Sequence, residues 1–370
     1  GAYYPSISGD GRYVAFRSND DNLVAGDTND TADIFVYDRE IGLTERVSVD
    51  SSGVQADDHS DYPSISADGR YVAYESRATN LLSESTGSDL DVFVYDRQTD
   101  LTECVSINSS GTVGNNHSLS ASISADGRYV AFKSYATNLA AGDTNHDEDI
   151  FVHDRQTGLT ERISVTSSGT QGNDDSHDPS ISADGRYVAF HSDASNLAPG
   201  DTNAVRDIFV HDRQTGQTKC LSINSAGMIG DGDSYAPSMS GDGRYVAFSA
   251  IASNLVQGDT NGEGDVFTAA SPLVYPRPYF RMIGPGETVS EMDFGNYRPV
   301  SIFGRAFHDL DGDGVKNSGE VGLDGWTIEL VDIATGIVQD TRTTGGGGVY
   351  SFEDFVPGEY YVRELMQGGW

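Results

Sequence analysis

Five stretches share one phrase: PSISGDGRYVAF from Pro5 to Phe16, PSISADGRYVAY from Pro63 to Tyr74, ASISADGRYVAF from Ala121 to Phe132, PSISADGRYVAF from Pro179 to Phe190, and PSMSGDGRYVAF from Pro237 to Phe248. Successive copies start 58 residues apart with no insertion. A period of that size predicts stacked or radially arranged units, each too small to bury its own apolar face. Within a unit, PSIS and RYVAF are short β-rich segments separated by Asp-Gly, the signal of a tight hairpin turn. A polar stretch follows with an Asn-Leu pair (Asn22-Leu23, Asn80-Leu81, Asn138-Leu139, Asn196-Leu197, Asn254-Leu255), where Leu is expected to anchor the loop and Asn to turn it. DIFVYDR from Asp33 to Arg39 predicts a third strand, and LTERVSV from Leu43 to Val49 a fourth. Four antiparallel strands and a Gly/Ser/Asn/Asp-rich return loop predict an all-β fold, a β-propeller with five visible blades over residues 1–271. The fifth copy keeps Asp265-Val266-Phe267 but then reads TAASPLV, so its fourth strand is missing from the expected place, and rings of five or six blades are both open.

The segments ISADGRYVAF and DIFVYDREIG (33–42), the latter recurring as DIFVHDRQTG (149–158), resemble the two signatures of TolB-like, WD-repeat-like β-propellers. That resemblance covers residues 1 to about 268 and implies an interaction platform more than an activity. Some such propellers are fused to hydrolase domains, but no G-x-S-x-G elbow occurs here.

Charge narrows the function classes. The chain has 370 residues, with 23 Lys and Arg against 57 Asp and Glu, a net charge of −34. Such an excess disfavours nucleic acid and anionic membranes and favours bound counter-ions, divalent cations first. No apolar run approaches the ~18 residues of a membrane span. No signal peptide is readable at Gly1, and the chain is expected to be a fragment of a longer protein. Cys104 and Cys220 are 116 residues apart, two periods, at the place held by Arg46 and Arg162 in the first and third units. Equivalent positions two units apart on a ring lie on the order of tens of Å from each other, beyond the ~7 Å limit for a disulfide, so the two are expected not to pair.

Composition shifts at Ser271-Pro272. Residues 272–299 hold five prolines and read as a connector or the remnant of a module, since GETVSEMDFGNYRP (286–299) resembles the closing strand of SdrD-type B repeats. From Val300, the order SIFGRAFHDLDGDGVKNSGEVGLDGW, TIELVD, GVYSFEDFVPGEYYVRE resembles an SdrD B-like, prealbumin-type or Ig-like β-sandwich over 300–370, lacking its expected end. Related Cna-B modules carry a Lys–Asn isopeptide bond; the only lysine here, Lys316, sits in the acidic loop and not on a first strand, so that crosslink is not expected.

Two patterns could hold a metal. Asp309, Asp311, Asp313, Asn317 and Glu320 stand at positions 1, 3, 5, 9 and 12 of an EF-hand-like loop, with Gly314 at the bend and the Val315 carbonyl at position 7. Hard oxygen ligands without nearby Cys or clustered His point to a structural Ca²⁺. In the propeller, Asp27, Asn29 and Asp33 recur as Asp143, Asn145, Asp149; Asp201, Asn203, Asp207; and Asp259, Asn261, Asp265, while the second unit has Ser85, Gly87 and Asp91. These triads are either further calcium sites or Asx-turns that start the third strand.

Elsewhere, the Arg of each turn (Arg12, Arg70, Arg128, Arg186, Arg244) is expected to pair with nearby acids. His59 and His117 alternate with Asp175 and Asp233, and His153 and His211 with Tyr37 and Tyr95, which reads as surface variation. The expectation is a secreted or cell-surface bacterial protein, not an enzyme, whose propeller engages an extracellular protein, a polysaccharide or copies of itself. Alternatives are a subunit of an extracellular fibre or matrix and a propeller-based polysaccharide-active enzyme. Useful variation is expected in the inter-blade and Asp-Thr-Asn loops.

Overall fold

A computed structural model describes residues 1–83, 87, 89–259, 262–274, 300–309, 316, 319–332, 338–355 and 360–365. The chain divides into two compact units, Gly1–Pro278 and Tyr279–Trp370.

In the first unit each repeat folds into one antiparallel sheet in simple sequence order. The blades are β1 (Ala2–Ile7), β2 (Tyr13–Ser18), β3 (Asp33–Asp38), β4 (Leu43–Arg46); β5 (Ser60–Ile65), β6 (Tyr71–Ser76), β7 (Asp91–Asp96), β8 (Leu101–Cys104); β9 (Ser118–Ile123), β10 (Tyr129–Ser134), β11 (Asp149–Asp154), β12 (Leu159–Arg162); β13 (Ser176–Ile181), β14 (Tyr187–Ser192), β15 (Asp207–Asp212), β16 (Gln217–Cys220). The fifth has three described strands, β17 (Ser234–Met239), β18 (Tyr245–Ala250) and β19 (Asp265–Ala270). Fourth strands stop at the position of Arg46, earlier than the sequence suggested. The Val47 N–H still bonds the Ile34 carbonyl (2.8 Å), while Val49 pairs with Gln55.

Strands β1, β5, β9, β13 and β17 stand side by side as the innermost strands. Their ends are tied in sequence by backbone bonds: Gly9 N–H to the Ala67 carbonyl (2.9 Å), Ala67 to Ala125 (2.9 Å), Ala125 to Ala183 (3.0 Å) and Ala183 to Gly241 (2.8 Å). The hairpin turn is built by its own side chains. Ser66 Oγ donates to Asp68 (2.6 Å) and accepts the Tyr71 N–H (2.9 Å), while Asp68 accepts the Arg70 N–H (2.9 Å). Asp96, which ends β7, receives the Arg70 guanidinium at 2.8 and 2.6 Å and also caps its own turn through the Gln98 N–H. Arg70 draws the Asp96 carboxyl down to about 2. Arg12–Asp38, Arg128–Asp154 and Arg186–Asp212 repeat the pair, as the sequence predicted.

The Asn-Leu pairs also behave as expected. Leu81, Leu139, Leu197 and Leu255 are buried, while Asn80 donates to the Gln55 carbonyl (2.8 Å) and accepts the Asp57 N–H (3.0 Å). Cys104 and Cys220 are free, and burial pushes both thiols up to about 12.

The histidines correct the sequence reading. His59 and His117 accept the N–H of Ala32 (3.1 Å) and Leu90 (2.8 Å) in the preceding blade, and Asp175 and Asp233 do the same for Glu148 (2.7 Å) and Arg206 (3.0 Å). They are interchangeable acceptors that pin one blade to the next, not idle surface variation. His153 and His211 are buried, each with Nδ1 2.9 Å from a threonine hydroxyl, Thr160 or Thr218.

In the second unit, β20 (Val300–Arg305) pairs with β23 (Val349–Phe355), and β21 (Thr327–Asp332) lies between β22 (Val338–Thr343) and β24 (Tyr360–Glu364). Ala306 and Phe352 from the first sheet's side meet Ile328 and Leu330 of the second in one core, the layered packing of a β-sandwich.

Candidate binding surface on the propeller

Every innermost strand carries a bulge at the same place. In β1 the pairing runs Tyr3↔Arg17 and then Ser6↔Ala15, so Tyr4 and Pro5 together face one residue of β2. The bulged residues Tyr4, Tyr62, Ser120, Asp178 and Ala236 all have positive φ, from 48° to 54°. Five non-glycine residues in the left-handed region are costly and persist because the flanking pairing holds them. The proline after four of the five needs no ladder hydrogen bond, which suits it to a bulge on an edge strand.

At this end of the sheets the blades stop resembling one another. The bulge position is Tyr, Tyr, Ser, Asp, Ala; the residue before it is Tyr3, Asp61, Leu119, His177, Tyr235; and the partner on the second strand is Arg17, Glu75, Lys133, His191, Ser249. These side chains connect across blades. Tyr4 and Tyr62 stack with centroids 4.1 Å apart, both largely exposed, with Tyr3 exposed beside them. Arg17 pairs with Asp61 at 2.6 Å, and buried Glu75 accepts the Ser120 N–H at 2.8 Å. Between the third and fourth blades, Glu148 is buried against Lys133 (3.3 Å) and the His177 ring, and within the fourth Asp193 holds Arg206 at 3.1 Å. Burial, reinforced by Asp61, raises Glu75 to about 7, and burial lowers His191 to about 3.

Sequence reasoning placed the useful variation in the loops and missed this rim. The signal was present in the two residues before each PSI or ASI, which differ between copies while their surroundings do not. Only the bulge shows that they act together.

The Asp-Asn-Asp triads are assembled where they are described, with Asn261 outside the described residues. Asn29 Nδ2 donates to Asp33 (3.0 Å) and to the Ala56 carbonyl (2.8 Å), and its oxygen accepts the Thr31 N–H (3.2 Å), an Asx-turn. Asn203 repeats this with Asp207 (2.8 Å), Gly230 (2.8 Å) and Val205 (3.2 Å). In the first blade Arg46 supplies the counter-charge, 3.1 Å from Asp27 and 3.6 Å from Asp33. Arg162 does so in the third, 3.5 Å from Asp143 and 3.1 Å from Asp149. In the fourth blade Cys220 takes the arginine's place, and burial with Asp201 nearby raises Asp207 to about 6. No group of three or more His, Cys, Asp or Glu is arranged to hold a metal ion among the described residues.

Of the 309–320 loop, Asp311, Asp313, Val315 and Asn317 lie outside the described residues. Glu320 is buried, and its carbonyl accepts the Lys316 ammonium (2.6 Å). No helix among the described residues is long and apolar enough to cross a membrane.

The molecule is thus a modular all-β protein, a propeller joined to a β-sandwich. Residues 300–370 match the SdrD B-like domain family. Among curated proteins none matches the chain. Solved structures similar to it include TolB from Acinetobacter baumannii (17% identity, 73% of this chain, TM-score 0.41), of which this chain spans 54%. The β-propeller domain of the trilobed protease from Pyrococcus furiosus is similar over 92% of this chain and 83% of its own (12% identity, TM-score 0.45). Pyrococcus horikoshii acylaminoacyl peptidase matches 99% of this chain and 45% of its own (13% identity, TM-score 0.43). The propeller fold itself rests on the strand order and blade contacts described above.

Proposed function

We propose that this is a non-catalytic binding protein of a bacterial cell surface or its surroundings, whose propeller engages an extracellular protein or polysaccharide. One observation carries the reading. All five blades share the Ser–Asp hairpin turn and the first four its arginine–aspartate pair, yet they differ at the bulged end of their innermost strands, where exposed Tyr3, Tyr4 and Tyr62 adjoin Asp61 and Arg17. Aromatic faces with flanking charges give both contact area and orientation to a bound partner. Under this reading the SdrD B-like module is a stalk stiffened by Ca²⁺ in the 309–320 loop. Among the triads of the first four blades, Asp201, Asn203 and Asp207 form the one complete set without an arginine at its side, so a cation contributes most there.

Glycan and extracellular-protein arrays test the platform. Binding that Tyr62→Ala abolishes, in a chain of unchanged melting temperature, supports the reading. An array with no specific binder, with or without calcium, counts against it.

A further inference from the structure

The propeller's cores lie between blades, not within them. The first joins Ala15, Ile34, Val36 and Val47 of one blade to Ile65, Val72, Tyr74 and Phe93 of the next, and the same positions recur at the other three seams. Five blades joined this way make four cores and leave two faces over.

The leading face of the first blade keeps the complete apolar pattern. Ile7 is 58% exposed, whereas its equivalents Ile65, Ile123 and Ile181 are 7–8% exposed. Val14 and Phe16 are half-exposed where Val72 and Tyr74 are sealed. The trailing face of the fifth blade is poorer, with exposed Thr268 at the place of Val36.

Three of the four seams also repeat a polar lock, the fourth having Ser271 and Lys219 at the arginine and glutamate places. Tyr13 lies under the Arg97 guanidinium (4.3 Å), Arg97 pairs with Glu45 of the preceding blade, and the Ile65 N–H bonds Ser6 Oγ (3.1 Å). Arg155 and Arg213 do the same over Tyr71 and Tyr129, with Glu103 and Glu161. On the first blade Arg39 is already posed, donating to the Gly11 carbonyl (2.6 Å) as Arg97 does to Gly69. Among the described residues no tyrosine or glutamate of another blade meets Arg39.

We propose that the leading face of the first blade is a docking site for one further blade of this same repeat type. Such a blade presents the trailing-face set seen here: a tyrosine over Gly11 and Arg39 and an alanine and branched aliphatics against Ile7 and Phe16, as at all four seams, and a glutamate to Arg39, as at three of them. The four existing seams supply the shape complementarity and three of them the charge complementarity.

The test is the full chain with a copy of residues 117–174 placed directly before Gly1, which keeps the 58-residue register. Expected are loss of binding of an apolar-surface dye and slowing of amide exchange at Ile7, the equivalent of the Ile65 N–H that bonds Ser6, by about tenfold or more, the response of backbone brought into a packed seam. Arg39→Glu in that protein should reverse the protection, and exchanging the copy's glutamate (Glu161→Arg) should restore it, which separates a lost seam from a failed fold. Unchanged exchange at Ile7 overturns the proposal. So does an unextended chain that runs as a dimer with the Ile7 amide already protected, since a second copy would then be the occupant.

Discussion

A Cβ added to Gly127 would lie 2.1 Å from Cδ2 of Tyr71, a tyrosine of the preceding blade. Gly127 also has φ of 72°, so two independent constraints fall on one residue. Gly11 shares the backbone angle, but its nearest neighbour would be Arg39 at 3.7 Å. Gly11→Ala is expected to cost about 1–2 kcal/mol from the backbone alone. Gly127→Ala adds overpacking, for a total of about 2–5 kcal/mol. Urea unfolding of both variants checks the difference; equal losses would show that the blade seam yields freely.

Cys220→Arg should stabilise the protein. The guanidinium would stand where Arg46 and Arg162 stand, within reach of Asp201 and Asp207, and would relieve two buried carboxylates of their mutual repulsion. A gain of about 1 kcal/mol, or about 2–4 °C in melting temperature, is expected in chelator. If the fourth-blade triad holds Ca²⁺, the gain disappears when calcium is added, because ion and arginine compete for the same charge.

Both tryptophans, Trp326 and Trp370, lie in residues 300–370, so tryptophan fluorescence reports on that module alone. EDTA is expected to lower its unfolding midpoint while leaving tyrosine-monitored unfolding of the propeller less affected, with Glu320→Gln abolishing the calcium-dependent increment. An unchanged tryptophan midpoint in EDTA removes the calcium site.

Glu75 gives a pH signature. Its folded value of about 7 is above the model-peptide value of 4.5, because burial and Asp61 outweigh the Ser120 N–H, Lys133 and Arg77. Between those two values the folded chain binds more protons than the unfolded one, so Glu75 makes stability fall as pH rises from about 4.5 to 7. Glu75→Gln keeps an acceptor for the Ser120 N–H and removes the titration. The variant should match the parent near pH 4.5 and exceed it above pH 7, read from melting curves across that range.

Much of this protein follows from local chemistry. The 58-residue period, the Ser-x-Asp-Gly turn and the alternation in RYVAF and DIFVYD specify hairpins and four-stranded units, because each is decided within a few residues. The arginine of the first four turns also finds its acid 26 positions on, within one blade, while Arg244 of the fifth pairs with Asp242. The two cysteines were legible too, since spacing alone placed them on different blades.

What depends on contacts between blades was not legible. His59 and Asp175 look like random exchange until the N–H each accepts is seen in the neighbouring blade. The rim of Tyr4, Tyr62, Ser120, Asp178 and Ala236 exists because a one-residue bulge re-aims a side chain at the same place in every innermost strand, and residues 58 positions apart become neighbours. The sequence by itself determined the blade and how often it repeats. The tertiary structure decided which varying residues share a surface and which face of the first blade is left uncovered, because both depend on packing between units that are distant in the chain.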